Sequence, residues 1–218
     1  MIGIKVSLPI ASFRKGMARE YLETHELPPP STCYGFLLSL VGETDRLAHT
    51  GVRITAVVCG NPAISVVLRT VWRVKKTPLG SSGNTRPDYQ QLMTNIELII
   101  WLDSSGEILD KEKMSLEDRV RQAFDPERRG SIDRFSGLSL GESTHLINDI
   151  SIYHRADDTE DNHSESAKIF LLDKEGTTTL PVWVDHVGGE KTRYVTGNII
   201  FGGLTPPDPK FMPIIDWQ

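Results

Sequence analysis

The 218-residue chain contains only two cysteines, Cys33 and Cys59. Two thiols allow at most one disulfide, which a reducing compartment disfavours, and without a CxxC pair they form no zinc-type ligand set. Both are expected to be small core residues, unpaired, in a reducing cytoplasmic compartment. Long apolar runs are also missing. None approaches the ~20 residues that cross a bilayer, so no membrane is expected among the partners. The opening Met1-Ile-Gly-Ile-Lys-Val alternates like a strand and lacks the basic-then-apolar layout of a signal peptide. Net positive charge is absent as well: 24 Lys and Arg stand against 29 Asp and Glu, a formal charge of −5. That balance argues against a non-specific nucleic-acid coat, which is usually basic throughout.

Catalytic signatures are equally scarce. The six histidines, His25, His49, His145, His154, His163 and His186, show no helical i, i+4 pairing of the kind that grips a metal. No GxSxG elbow or phosphate-binding Walker motif occurs. Neither a metal nor a cofactor is expected. Among the histidines, His25 is the one weighed as a general base.

What is present reads as mixed α and β structure. Residues 2–8, 53–58, 64–71 and 95–102 carry the apolar and β-branched content of strands, and more strands are expected from 147 onward. Two helices stand out, 32–41 and 115–124. The first follows three prolines, with Ser31 or Thr32 available as its cap and Gly42 as its left-handed stop. The second opens on Ser115, places acids early and bases late, and ends before Pro126. Its Leu116, Val120 and Phe124 recur at i, i+4, i+8, one face against a sheet. The order fits an α+β fold of the ferredoxin-like β-α-β-β-α-β type. Residues 1–149 are taken as this core and 150–218 as a β-rich C-terminal extension packed on the same domain. Residues 156–167, rich in Asp, Glu and Ser, lack core-forming side chains and read as a loop. The four prolines of 205–213 exclude regular structure there.

Charge is segregated along the chain. Arg69, Arg73, Lys75, Lys76 and Arg86 crowd one stretch against the single acid Asp88, whereas Asp157, Asp158, Glu160 and Asp161 form an acidic run. The basic stretch also has two glycines, Gly80 and Gly83, flanked by Trp72 and Tyr89. Such composition suits either a solvated hairpin with a guarded edge or an arm that grips RNA phosphates and stacks bases.

Two motifs carry a resemblance to a known family. Pro29-Pro-Ser-Thr-x-x-Gly35 opens the first helix after a strand ending near Phe13-Arg14, and Ser136-Gly-Leu-Ser-Leu-Gly-Glu-Ser143 follows the second helix. Together they resemble the fifth Cas family of CRISPR systems, RAMP-type subunits of the type I Cascade surveillance complex. The segment Tyr89 to Leu102 is similar to that family's return strand after its thumb hairpin. The likeness covers most of the chain and is poor beyond Ile150.

The resemblance implies a ferredoxin-like, RRM-type RAMP domain with a β-hairpin thumb inserted at about 72–90. It implies a non-catalytic subunit that caps the 5′ handle of the crRNA. Partners would be the crRNA, the first backbone subunit through the thumb, the large subunit on another face, and target DNA indirectly. The RNA-binding candidates it marks on the thumb are Arg73, Lys75, Lys76, Arg86 and Tyr89. The turn after the first strand adds Arg14, Lys15 and Arg19 beside Gly16, and a weaker match to a glycine-rich loop, Gly188-Gly189, adds Lys191 and Arg193. Some members of the family cleave precursor RNA without metal, using a tyrosine and an adjacent Lys–His pair. This sequence has no Lys–His dipeptide in either order, and the endoribonuclease is the alternative reading.

Overall fold

The first strand, β1 (Ile2–Ala11), is dictated by alternation: Ile2, Ile4, Val6 and Leu8 point into the core while Lys5 and Ser7 are half-buried on the other face. The computed structural model describes residues 1–16, 21–72, 78, 80–109, 113–154, 167–185, 189–202 and 204–218. Arg19, Arg73, Lys75, Lys76, His163, His186, Gly188 and the acidic run from Asp157 to Asp161 lie outside the described residues.

Three prolines set the entry to the first helix, α1 (Pro30–Leu40). Pro29 occupies the cap position and Pro30 the first helical position, where a ring that pre-sets φ and lacks an N–H loses nothing. The Pro29 carbonyl accepts from the Thr32 and Cys33 amides at 2.9 and 3.1 Å. Neither Ser31 nor Thr32 caps the helix, contrary to the sequence expectation, because the proline start places both inside the first turn. The stop is as expected. Gly42 takes φ +68°, its amide bonds to Ser39 and that of Glu43 to Leu38.

After β3 (Arg53–Cys59) the chain turns through Gly60 and Pro62 into β4 (Ala63–Trp72), and both pair antiparallel with one strand, β5 (Thr85–Asp103). The register runs Cys59↔Glu97 and then Ala63↔Thr94, so four residues advance on one side against three on the other. The extra residue is a bulge, and opposite it Asn95 takes φ +55°. Beyond this bend β4 and the outer part of β5 leave the core as an arm. A short β2 (Tyr21–Leu22) runs parallel to β5 at Tyr89 and Gln90.

The second helix, α2 (Leu116–Phe124), starts as expected: Ser115 Oγ accepts from the Asp118 amide at 3.1 Å, and Leu116 and Val120 are buried. The remaining strands are β6 (Asp149–Ile152), β7 (Lys168–Leu172), β8 (Thr178–Trp183) and β9 (Arg193–Phe201). Among the described residues they form one sheet in the order β6-β1-β5-β3-β7-β9-β8, with β2 and β4 also on β5. Pro181 sits in the edge strand β8, next to a bulge, where its missing donor is tolerated.

Both helices cover one face of the sheet. Phe36, Leu37 and Leu40 of α1 and Leu116 and Val120 of α2 share a core with Ile4, Val6, Ile54, Leu98, Ile100 and Leu102. Each such fully buried side chain contributes about 1.5–3 kcal/mol. The opposite face holds a smaller cluster of Val57, Ile99, Trp101, Tyr153, Ile169 and Met212. Met212 comes from the proline-rich C-terminal segment, which also bonds Ile54 N to Pro213 O at 2.9 Å. Cys33 is buried, Cys59 half-buried, and neither is in a disulfide. No helix among the described residues is long and apolar enough to cross a membrane.

The run at 64–71 forms the strand its β-branched content predicts, and the structure exposes it. Ile64, Val66 and Leu68 are 56%, 49% and 62% exposed, since β4 is paired with β5 alone, on the stretch of β5 beyond its pairing with β3.

Gly42 offers a direct test of how α1 is terminated. A Cβ there would lie 2.2 Å from the Asp133 carbonyl oxygen, on a backbone that favours glycine. Gly42→Ala is expected to destabilise the fold by about 1–3 kcal/mol, read from urea unfolding midpoints.

Candidate nucleic-acid interface

The two faces of the arm differ sharply. Side chains opposite one another in the ladder share a face, and Val66/Gln91 and Leu68/Tyr89 form the outer one, whereas Met93, opposite Ile64, is buried in the core at the arm's root. Tyr89 is half exposed there, with the ring of Tyr21 6.4 Å away and tilted. The inner face pairs Val67 with Gln90, Arg69 with Asp88 and Val71 with Arg86. Gln90 and Asp88 are buried, and a buried polar group must find partners. Arg86 forms an ion pair with Asp88. Gln90 donates to Glu142 Oε1 at 2.6 Å and also meets Arg69, which reaches Glu142 Oε2 at 3.2 Å. Glu142 thus holds both strands of the arm by its root.

The loop that carries Glu142 is the Leu-Gly-Glu-Ser element singled out in the sequence. Gly141 takes φ +97°, and a Cβ there would lie 2.7 Å from the Ser12 carbonyl, so the loop touches the end of β1 backbone to backbone. The buried ring of His145 fixes this contact. Its Nδ1 accepts from the Ser12 amide at 3.2 Å and the Glu142 amide at 3.3 Å, which requires that nitrogen to be unprotonated. Burial lowers the pKa of His145; the Glu142 carboxylate pulls it up and Arg69 pushes it down.

The turn after β1 is braced in the same way. Phe13 N donates to Thr24 Oγ1 at 2.8 Å, and Thr24 N donates to Gln91 Oε1 on the arm at 3.1 Å. Arg14 bridges to Thr24, and Lys15 pairs with Glu23 at 3.1 Å. Gly16 lies against the Tyr194 hydroxyl: a Cβ there would come within 3.6 Å. The Arg14–Gly16 turn therefore meets the start of β9, where Arg193 directs its Nε to the Gln218 carbonyl at 3.5 Å. Lys191 is exposed, with its backbone amide 3.4 Å from Asp185. The structure brings Arg14, Lys15 and Arg193 to one side and Arg86 and Tyr89 onto the arm.

The other side of the Leu140–His145 loop borders a cleft of about 370 Å³ between α1 and the end of β8. Ser31, Thr32, Ser139 and Ser143 line it, with Arg46 and Trp183. The Arg46 guanidinium lies 4.3 Å from the Trp183 ring centroid and donates to the Val184 carbonyl at 2.9 Å. Sequence reasoning missed both residues. They are far apart in the chain and carry no local pattern that joins them.

It also missed a buried network. His49 Nδ1 bonds to Glu107, whose carboxylate accepts from the Leu116 amide at 3.0 and 3.1 Å. Arg119 approaches His49 Nε2 at 3.0 Å and also binds Glu43 and the Val41 carbonyl. A guanidinium only donates, so Nε2 accepts and Nδ1 carries the hydrogen. The Nε2 lone pair that a general base would use is occupied, and the network ties the end of α1 to the start of α2. Among the described residues no group of three or more His, Cys, Asp or Glu is placed to hold a metal ion.

No protein-family model matches the chain. It is 50% identical over 201 residues to the CRISPR-associated protein Cas5 of Myxococcus xanthus (strain DK1622), covering 91% of this chain and 90% of that protein. A subunit of a CRISPR RNA-guided surveillance complex superposes with a TM-score of 0.57 at 12% identity, over 92% of this chain and 90% of its own. A crystal structure of a Cas protein gives 0.51 at 14% identity, over 94% and 95%. These two likenesses concern the fold.

The His145 geometry makes stability depend on pH in a defined direction. With the folded-state pKa lowered below the unfolded value, the unfolded chain binds more protons between the two, so stability falls as pH drops below about 6.5 and is fully present above it. His145→Asn keeps an acceptor near the Nδ1 position and does not titrate. Melting temperatures taken from pH 5 to pH 8 are expected to decline less toward acid in this variant than in the parent.

Proposed function

This chain belongs to the Cas5 family of CRISPR-associated proteins, and from that membership we propose that it is the crRNA-binding subunit of a type I Cascade that caps the 5′ handle. One observation carries the reading. The Leu140–His145 loop joins the turn after β1, the root of the arm and the cleft beside α1, so the segments with the family's motifs converge on one surface. Membership and the likeness to a surveillance-complex subunit support a place among backbone and large subunits, with target DNA approached only through the complex. The order β6-β1-β5-β3 around two helices supports the ferredoxin-like reading of the core.

On this reading the arm is the thumb. Its inner face is occupied with its own support, since Arg86 and Arg69 are already engaged by Asp88, Gln90 and Glu142. The outer face offers Tyr89 and Tyr21 as stacking surfaces and an apolar stripe for a backbone subunit. Lys75 and Lys76, which lie between β4 and β5 in the sequence, are proposed to meet phosphates together with Arg14, Lys15, Arg19 and Arg193. An acidic chain with local cations grips its own RNA while repelling stray nucleic acid elsewhere.

The subunit is proposed to bind and not to cut. In support, the Tyr34 hydroxyl donates to the Arg46 carbonyl at 2.8 Å, and burial pushes its pKa up, far from a phenolate nucleophile. His25 is held toward its neutral form, first by burial and then by the charge of Lys15, and has no Lys–His neighbour to act with. Metal-independent cleavage of repeat RNA at one site, lost on His25→Ala, would favour the endoribonuclease instead.

Salt dependence tests the binding mode. In the complex assembled with its backbone subunit, Lys75→Ala with Lys76→Ala is expected to weaken crRNA binding. The slope of log affinity against log salt should fall by about 0.7 for each phosphate that is no longer neutralised. The same changes at Asp157 and Asp158 should leave the slope unaltered. An unchanged slope in the lysine variant would move the RNA off the thumb.

A further inference from the structure

The cleft beside α1 is walled in part by core side chains, Tyr34, Phe36 and Trp183 among them, and its polar lining is specific. Its volume of about 370 Å³ falls within the roughly 300–1,000 Å³ of small-ligand sites. No carboxylate lines it, and its single full charge is Arg46. Stacking on Trp183 and the bond to Val184 fix that guanidinium, yet among the described residues no acid pairs with it. A cation held still and left unneutralised has already lost the rotamer freedom that binding would otherwise remove. Planar guanidinium forks match phosphate oxygens.

The rest of the lining completes the picture. Ser31, Thr32, Ser39, Ser139 and Ser143 line the cleft, and their hydroxyls make no hydrogen bond to another described residue. The proline start of α1 explains two of them, since Ser31 and Thr32 are relieved of capping. Hydroxyls donate and accept alike, which suits a ribose 2′-OH and phosphodiester oxygens together. Gly35 leaves open space where a side chain would fill the helix face, and Val182 and Trp183 supply an apolar wall. A phosphate alone is far smaller than this space. Gly141 and Ser143 line the cleft while Glu142 between them grips the arm root, so the cleft borders the root of the arm.

We infer that the cleft beside α1 seats one nucleotide of the bound RNA strand, its phosphate on Arg46, its sugar among the serine and threonine hydroxyls and its base against the Val182–Trp183 wall. The inference rests on the reading that the chain binds crRNA. Losing a charge-assisted hydrogen bond weakens such a seat by roughly tenfold or more.

The test uses the complex co-expressed with its crRNA, footprinted by nuclease at single-nucleotide resolution. Two variants are compared with the parent: Arg46→Gln, which removes the charge, and Ser143→Trp, an exposed position that fills the cleft and leaves Arg46 in place. Both should still carry RNA, with cleavage at one nucleotide roughly tenfold faster and the remaining footprint unchanged. Identical footprints in parent and both variants, with RNA still bound, would overturn the seat and leave crRNA binding intact. Loss of a protein subunit from the Ser143→Trp complex with the footprint unchanged would overturn it too, making the cleft a protein contact. A parent complex carrying no RNA would overturn the binding reading and the seat with it.

Discussion

Nineteen residues of continuous strand in β5 are the constraint on which the rest depends. One end is flanked by β1 and β3 and lies under both helices; the other carries β4 and projects as the arm. Because a single strand runs through both, the arm's direction is fixed by the core's hydrogen bonds and not by a flexible linker. The bulge between β3 and β4, opposite Asn95, sets where core ends and arm begins. A hairpin alone in water is marginal, and this one is stabilised by sharing its longer strand with a packed sheet.

That arrangement creates a polar problem, which the Leu140–His145 loop solves. Asp88 and Gln90 are buried where the arm meets the body, and buried polar groups are costly unless partnered. Arg86, Arg69 and Glu142 partner them, while Gly141 and His145 dock the loop to the end of β1. The loop is therefore a joint among three segments distant in sequence, and a change in any one is felt at the surface the others form. Among the described residues Glu43, Asp88, Glu117 and Glu142 pair with arginines in the same way.

Local signals made the helices legible. Pro30 and Gly42 bracket α1, and Ser115 caps α2, because start and stop chemistry acts within a few residues. The capping role expected of Ser31 or Thr32 failed for a local reason too, since two successive prolines start the helix earlier. The run at 64–71 was legible as a strand but its exposure was not, because β-branching reports a strand and not what covers it. The convergence of Arg46 with Trp183, and of Arg69 and Gln90 with Glu142, was invisible: it depends on sheet register and loop docking over long separations. His49 and Glu107 escaped notice for the same reason. The motif containing Glu142 stood out in the sequence, but its mechanical role follows only from where β5 places Gln90.

The central claim is that RNA follows one path, across the outer face of the arm and into the cleft beside α1. Ultraviolet cross-linking of the assembled complex, with cross-linked peptides identified by mass spectrometry, tests it most directly. The account predicts nucleotide adducts on the peptides bearing Tyr89 and Trp183. Adducts confined to β6 or to the exposed edge of β8, with none on those two peptides, would contradict it.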